Sequence, residues 1–264
     1  MDTSALHPFD PSLAEPFVRA VITGDAEREL PGLDRSWSAH ISASANAGYE
    51  RALAGQERGF HEITSAFGQV AAAIHPTFIQ DGLSLTAWEA QIDRGAGMLL
   101  RPPSRLFIEA GLDPTVARKF AIRLDTSLGM MGGSYIPPKL MPQFAALIEN
   151  RFDRLVNRLV AAEMDPLPIM SILIEATTYA TDRGLGLFET LGVIVPEAPE
   201  SFPPGSTIVV FDKKRVNPDL RERIEFAAKP PKEQGRLGRL LGRGKSNPLD
   251  EFPTTMNGHV SDNE

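Results

Sequence analysis

The sequence predicts an all-α fold: a bundle of six or seven helices with one short β-strand and a disordered C-terminal tail. Three observations carry this prediction. Asp or Asn stands directly before Pro at four places, apolar residues recur at helical spacing over long stretches, and the composition shifts after about Pro196 towards proline and charge. Together these features favour one helical core followed by a segment that lacks the apolar residues needed to fold.

Helix starts are the clearest local signals. Asp10, Asp113, Asp165 and Asn217 each precede a proline. Their side-chain oxygens can accept a hydrogen bond from a free N–H of the first turn. The proline has no N–H to lose, and its φ is already close to the helical value. We therefore expect a helix to begin at each of these four positions.

Apolar periodicity extends these starts into helices. After Asp113 an apolar residue recurs every fourth position from Val116 to Leu128, and after Asp165 a similar pattern runs to Ala180. A longer stripe, of about six turns, follows Lys139. Its members are Phe144, Ile148, Phe152, Leu155, Leu159 and Ala162. Each stripe predicts a helix with one buried face.

The N-terminal half is also expected to be helical. Residues 36–74 carry a face of small residues that includes Ala45, Gly48 and Ala52, and Gly55 or Gly59 marks a kink or a break. Small faces let helices approach closely, which favours helix pairing or self-association. Shorter helices are expected over residues 85–100 and 104–110.

One segment has the composition of a strand. Residues 206–214, STIVVFDKK, are rich in β-branched side chains and follow a Pro-Pro-Gly turn. A lone strand needs a partner, so we expect it to pair with a strand elsewhere in the chain, with a second copy or with another protein.

The predicted organisation is a helical domain over residues 1–205, a strand with a short helix over 206–228, and a disordered tail over 229–264. The net charge of −7 is unevenly distributed. Residues 1–211 hold 16 basic and 25 acidic side chains, residues 212–245 hold 11 basic and 5 acidic ones, and the end is acidic again. An acidic body is expected to repel polyanions.

Several chemistries are excluded or disfavoured. The chain has no cysteine, so disulfides, thiolate metal sites and cysteine nucleophiles are excluded. No HExxH, GxSxG or paired Glu-x-x-His motif occurs, and no long apolar run predicts a membrane span. The start does not resemble a signal peptide. We predict no catalytic residues, no metal, no cofactor and a cytoplasmic location, and the Arg-rich, Ala-rich composition favours a bacterial source.

The stretch SLGMMGGSYIPPKLMP, residues 127–142, resembles a phosphate-binding loop only superficially. It lacks the lysine of a P-loop and the spacing of a dinucleotide fingerprint. We expect Gly132 and Gly133 to end the preceding helix and the prolines to begin the next one. Met130, Met131 and Tyr135 are then expected to form an apolar plug beneath the connection.

The candidate ligand site is a group of three arginines around a Gly- and Pro-rich connection: Arg94, Arg101 and Arg105. Guanidinium groups bind carboxylates and phosphates through paired hydrogen bonds, so these residues are candidates for an anion pocket. The alternative is that they pair with acids of the body. A second basic row, Arg151, Arg154 and Arg158, is expected to lie on a solvated helix face.

The tail supplies candidate partner-docking residues. Arginines alternate with leucines in GRLGRLLGRGKS, which favours a short linear motif that binds a protein partner. The residues concerned are Arg236, Leu237, Arg239, Leu240 and Leu241. Contact with nucleic acid or with an anionic membrane is an alternative that the lack of aromatic residues disfavours. A tail that only increases solubility is the other alternative.

Three hypotheses of function follow. The first is a non-catalytic helical interaction or adaptor protein that self-associates and docks a partner through its tail or its unpaired strand. The second is a sensor that binds a small molecule or an anion in an arginine-lined pocket. The third is an enzyme whose catalytic groups are dispersed along the chain.

Overall fold

The computed structural model describes residues 3–81, 83–117, 133–192 and 202–229, and every structural statement below refers to these residues. The chain divides into two units, Met1–Ala228 and Lys229–Glu264. Of the second unit, only Lys229 is described. The tail residues from Arg236 to Leu241 therefore lie outside the described part of the chain, and their role stays a prediction.

The predicted all-α class is wrong, because a five-stranded mixed sheet lies at the centre of the first unit. The protein has an α/β fold in which the strand order is β3-β4-β1-β2-β5. The strands are β1 (Thr3–Phe9), β2 (Thr77–Asp81), β3 (Tyr135–Ile136), β4 (Gly186–Leu191) and β5 (Ile208–Val209). All neighbours are antiparallel except β2 and β5, which run parallel.

The strand predicted near residues 206–214 exists, but only as the short edge strand β5. Its partner is β2, through the pairs Thr77 with Ile208 and Phe78 with Val209. The sequence pattern predicts no strand at β2. The predicted strand is thus paired within the chain, which removes one reason to invoke an external partner.

Helices account for most of the remaining described structure. The longer ones are α1 (Ala14–Thr23), α3 (Arg35–Leu53), α4 (Glu57–Ala72), α9 (Met141–Asn150), α10 (Phe152–Ala161), α11 (Pro166–Asp182) and α12 (Pro218–Ala227). The shorter ones are α2 (Ala26–Glu29), α5 (Leu85–Gln91), α6 (Arg94–Gly97), α7 (Pro103–Glu109) and α8 (Pro114–Ala117).

All four predicted helix starts are confirmed. Asp10 accepts a hydrogen bond from Ser12 N at 2.9 Å and opens a 3-10 turn that leads into α1. Asp113, Asp165 and Asn217 make the equivalent bond to the amide two residues later, at 2.7, 2.9 and 2.8 Å. This combination of a capping Asp or Asn with a following proline was recognisable because its two residues are adjacent in sequence.

Two predicted helices are divided in the structure. The segment after Lys139 breaks at Arg151, which separates α9 from α10 and has the non-helical φ of −113°. The segment 85–100 breaks where Asp93 caps α6 by accepting a hydrogen bond from Gly95 N at 2.7 Å. Of the helix predicted after Asp113, α8 is its first turn, and residues 118–132 lie outside the described ranges.

The central strands of the sheet are buried on both faces. Leu6, Phe78 and Leu187 belong to an apolar core shared with α5, α9, α10, α11 and α12. Phe9 and Phe188 belong to a second core shared with α1, α3, α4 and α7. The strands therefore lie between two helical layers, and every residue of β4 is buried.

The small-residue face of α3 packs against α4, as its composition predicts. A Cβ atom built on Gly48 would lie 3.0 Å from the carbonyl oxygen of Gly59. Gly55, with φ +75°, makes the turn between the two helices. This face is therefore used inside the chain, and it gives no support to self-association.

The C-terminal part of the stretch 127–142 forms an edge of the sheet. Gly133 has φ +73°, and its α-carbon lies so close to the carbonyl oxygen of Glu189 that no side chain fits. Tyr135 in β3 is buried against Phe9, with ring centroids 6.0 Å apart, as the plug hypothesis predicts. Met130 and Met131 lie outside the described ranges.

Candidate functional site: an arginine-lined pocket

The three arginines predicted to form a ligand site do not meet in one pocket. Arg105 on α7 makes an exposed ion pair with Glu109, with an Nε–Oε1 distance of 3.1 Å. Arg101 follows α6 and donates from Nη1 to the carbonyl oxygens of Met98 and Leu100, at 2.8 and 2.7 Å. Arg94 alone of the three lines a pocket, in the company of different arginines.

That pocket lies where α10 meets the connection between α5 and α6, and it has a volume of about 530 Å³. Its lining consists of Glu89, Ala90, Gln91, Asp93, Arg94, Gly95, Arg151, Arg154 and Arg158. The basic row that we expected to be solvated thus faces the candidate residue Arg94. The volume is within the range of small-molecule sites.

The sequence of α10 and of Arg151, the residue directly before it, explains how three arginines reach the pocket. Arg151, Arg154 and Arg158 are spaced by three and four residues, so they follow one face of the helical path. The apolar residues between the arginines lie on the opposite face of α10 and pack in the first core, where Leu155 and Leu159 are fully buried. Core packing therefore orients the basic face.

Two of these arginines are held by bonds across the pocket. Arg151 Nη1 lies 2.7 Å from Oδ1 of Asp93, whose carboxyl is buried. Arg158 Nη1 donates to the backbone oxygen of Ile92. Gly95 permits the first contact, because a Cβ there would lie 2.6 Å from Arg151 Nη1. These bonds fix the distance between α10 and α6.

Arg94 differs from Arg151 and Arg158 in its environment. It is exposed at the start of α6, and it makes no ion pair or hydrogen bond with any residue that the structure describes. The lining as a whole has four guanidinium groups and two carboxyl groups. The pocket is therefore positively charged within a chain whose net charge is negative.

A second polar cluster, which the sequence pattern does not predict, lies inside the sheet. Glu189 on β4 is fully buried on the face of the first core, because it pairs in register with Leu6. Its carboxyl accepts hydrogen bonds from Ser4 Oγ at 2.7 Å, Leu85 N at 2.6 Å and Ser134 Oγ at 3.1 Å. Burial outweighs these bonds and raises the pKa of Glu189 to about 7.

The opposite face of the same strands carries His7. Its Nδ1 lies 3.0 Å from Thr77 Oγ1 and its Nε2 lies 2.8 Å from Thr190 Oγ1. Burial lowers the pKa of His7 to about 3, so the ring is neutral at physiological pH. Because both ring nitrogens are occupied by hydroxyl groups, we assign His7 a structural role.

Other site types find no support in the described ranges. No group of three or more histidine, aspartate or glutamate side chains is arranged to hold a metal ion there. None of the helices within those ranges is long and apolar enough to cross a membrane. Comparison with protein-family models, with curated proteins and with solved structures finds no match for this chain. Function is therefore inferred from the geometry of the pocket.

Proposed function

We propose that this protein binds a small anionic ligand in the pocket formed by Arg94, Arg151, Arg154 and Arg158. One observation carries the proposal: arginines from α6 and α10, more than fifty residues apart in sequence, line one pocket. This is the second of the sequence-based hypotheses, with a different set of arginines. The interaction hypothesis now depends on the tail, which lies outside the described residues.

Guanidinium groups suit this role for two physical reasons. They stay charged at every physiological pH, and their planar N–H donors match the oxygens of phosphate and carboxylate groups. Arg151 and Arg158 are already held by Asp93 and by the oxygen of Ile92, so little of their side-chain freedom remains to be lost on binding. Arg94 is exposed and available to close on the ligand.

The charge of the surrounding chain favours a small ligand over a polymer. Residues 1–211 carry an excess of nine negative charges. A nucleic acid would have to lie along this acidic surface, whereas a small anion has to meet only the arginines of the pocket. We therefore place the ligand among compact phosphates or polycarboxylates.

Ligand-induced stabilisation tests the proposal. Thermal unfolding of the full chain is measured with increasing pyrophosphate at constant ionic strength. A ligand that binds only the folded state stabilises it by about 2.7 kcal/mol at about 100 times its dissociation constant. The doubly substituted variant Arg94→Ala, Arg154→Ala is expected to fold but to lose at least nine tenths of the stabilisation.

A matched variant controls for net charge and for general salt effects. Arg28 and Arg105 are exposed arginines in surface ion pairs, and neither lines the pocket. The variant Arg28→Ala, Arg105→Ala therefore has the same change of charge and should keep the response of the wild type. An equal loss in both variants, or a wild type that millimolar pyrophosphate does not stabilise, contradicts the proposal.

A further inference from the structure

The pocket contains hydrogen-bond acceptors as well as donors, and the side chains that accept all lie on one side. The side formed by α10 and by the residue directly before it contributes only arginine side chains: Arg151, Arg154 and Arg158. The end of α5 and the connection after it contribute Glu89, Gln91 and Asp93. A ligand that fills the pocket therefore meets only arginine side chains on one side, and on the other it meets the acceptors together with Arg94.

Glu89 is the acceptor best placed to meet a ligand. Its carboxyl is partly exposed, and it makes no hydrogen bond or ion pair with any residue in the described ranges. The absence of a side chain at Gly97 lets this carboxyl rest directly against α6, since a Cβ atom there would overlap it. Asp93, in contrast, is buried and already bonded to Arg151.

A ligand made only of phosphate leaves the negative charge of the Glu89 carboxylate uncompensated, and that charge repels the ligand. A ligand that also carries hydroxyl groups can donate to the Glu89 carboxylate and to the exposed amide of Gln91, both of which accept hydrogen bonds. The arrangement thus selects for an anionic group and hydroxyl groups in the same small molecule.

The rest of the lining narrows the ligand class. It contains no aromatic residue and only one apolar side chain, that of Ala90. An acyl chain would find no apolar wall in this pocket. An amino acid would bring an ammonium group into a lining where guanidinium groups outnumber carboxyl groups by four to two.

We infer that the ligand is a phosphorylated polyol or sugar, with its phosphate on the arginines and its hydroxyl groups on Glu89 and Gln91. This inference rests on the anion-binding function proposed above. It adds a prediction that anion binding alone does not make: removal of the hydroxyl groups from the ligand must weaken binding.

Two probes with the same skeleton make the test. Binding of glycerol 3-phosphate and of n-propyl phosphate to the full chain is measured by isothermal titration calorimetry. These ligands share the phosphate and three carbons, and only the first has free hydroxyl groups. We expect glycerol 3-phosphate to bind at least tenfold more tightly to the wild type.

The variant Glu89→Met keeps the length of the side chain and removes its acceptor. It should bind the two probes within about twofold of each other, and the difference that remains is the contribution of Gln91. If the wild type also binds the two probes equally, the polyol inference is wrong while anion binding stands. The same holds if glutamate binds the wild type more tightly than glycerol 3-phosphate does, as measured by displacement of glycerol 3-phosphate. If neither phosphate monoester binds, the polyol inference is wrong, and the pyrophosphate titration described above decides whether the anion-binding proposal stands.

Discussion

Replacing Gly59 by alanine is expected to lower the free energy of unfolding by about 3 kcal/mol, a large effect for one methyl group. A Cβ atom at this position would lie 2.5 Å from Ala52 N and closer still to the carbonyl oxygen of Gly48. Both atoms belong to the backbone of α3, so no side chain can move aside. The helices α3 and α4 must separate, and the second core loses contacts.

Gly32 provides the matched control. A Cβ atom there would meet nothing within 4 Å, so Gly32→Ala should change the unfolding free energy by less than about 1 kcal/mol, in the stabilising direction. Urea unfolding followed by circular dichroism measures both variants. A Gly59→Ala variant as stable as Gly32→Ala would show that α3 and α4 are not in this close contact.

Replacing Glu189 by glutamine is expected to change how stability depends on pH. In the unfolded chain a glutamate has a pKa near 4.5, whereas burial raises the pKa of Glu189 to about 7 in the folded state. The folded state therefore binds more protons between these values, and the wild type loses stability there as pH rises. Over the whole window the loss is about 3 kcal/mol.

His7 changes the pH dependence of stability in the direction opposite to Glu189. Its pKa falls from 6.5 in the unfolded chain to about 3 in the folded state, so the unfolded state binds the extra proton and stability rises with pH in this window. Between pH 4.5 and 6.5 the two effects oppose each other in the wild type. In Glu189→Gln the contribution of His7 should remain, as a rise of about 1.4 kcal/mol per pH unit.

The measurement is the difference in unfolding free energy between Glu189→Gln and the wild type at pH 4.5 and at pH 8. We expect this difference to shift by about 3 kcal/mol in favour of the variant at the higher pH. The exposed carboxyl of Glu175 on α11 serves as control, and Glu175→Gln should show no such shift. A difference that does not change with pH would show that Glu189 is not buried as described.

The helix starts were predictable from sequence because each depends on two adjacent residues, such as Asp165 and Pro166. The sheet was not predictable from sequence, because its central strands are buried on both faces and carry polar residues. Ser4 and His7 in β1 and Glu189 in β4 disrupt the apolar alternation that marks a half-buried strand. Their hydrogen-bond partners lie 55 to 185 residues away, so nothing local shows that they are satisfied inside.

In the candidate site too, local features were predictable from sequence and long-range contacts were not. The sequence singled out Arg94 and the row of Arg151, Arg154 and Arg158 as separate features, because spacing along a helix is a local property. These arginines converge only because α10 contacts the connection after α5. The bond between Arg151 and Asp93 holds that contact, and the two residues are 58 positions apart in sequence. Arg101 and Arg105 resembled partners of Arg94 only because they are close in sequence.

The most direct test of an anion pocket is to observe its arginines during a titration. The side-chain Nε–H resonances of the full chain, assigned by single substitutions, are followed by NMR as pyrophosphate is added. We predict that the resonances of Arg94, Arg154 and Arg158 shift together along one saturating curve while those of Arg28 and Arg105 stay in place. Shifts of similar size at every exposed arginine, without saturation, would contradict the existence of the site.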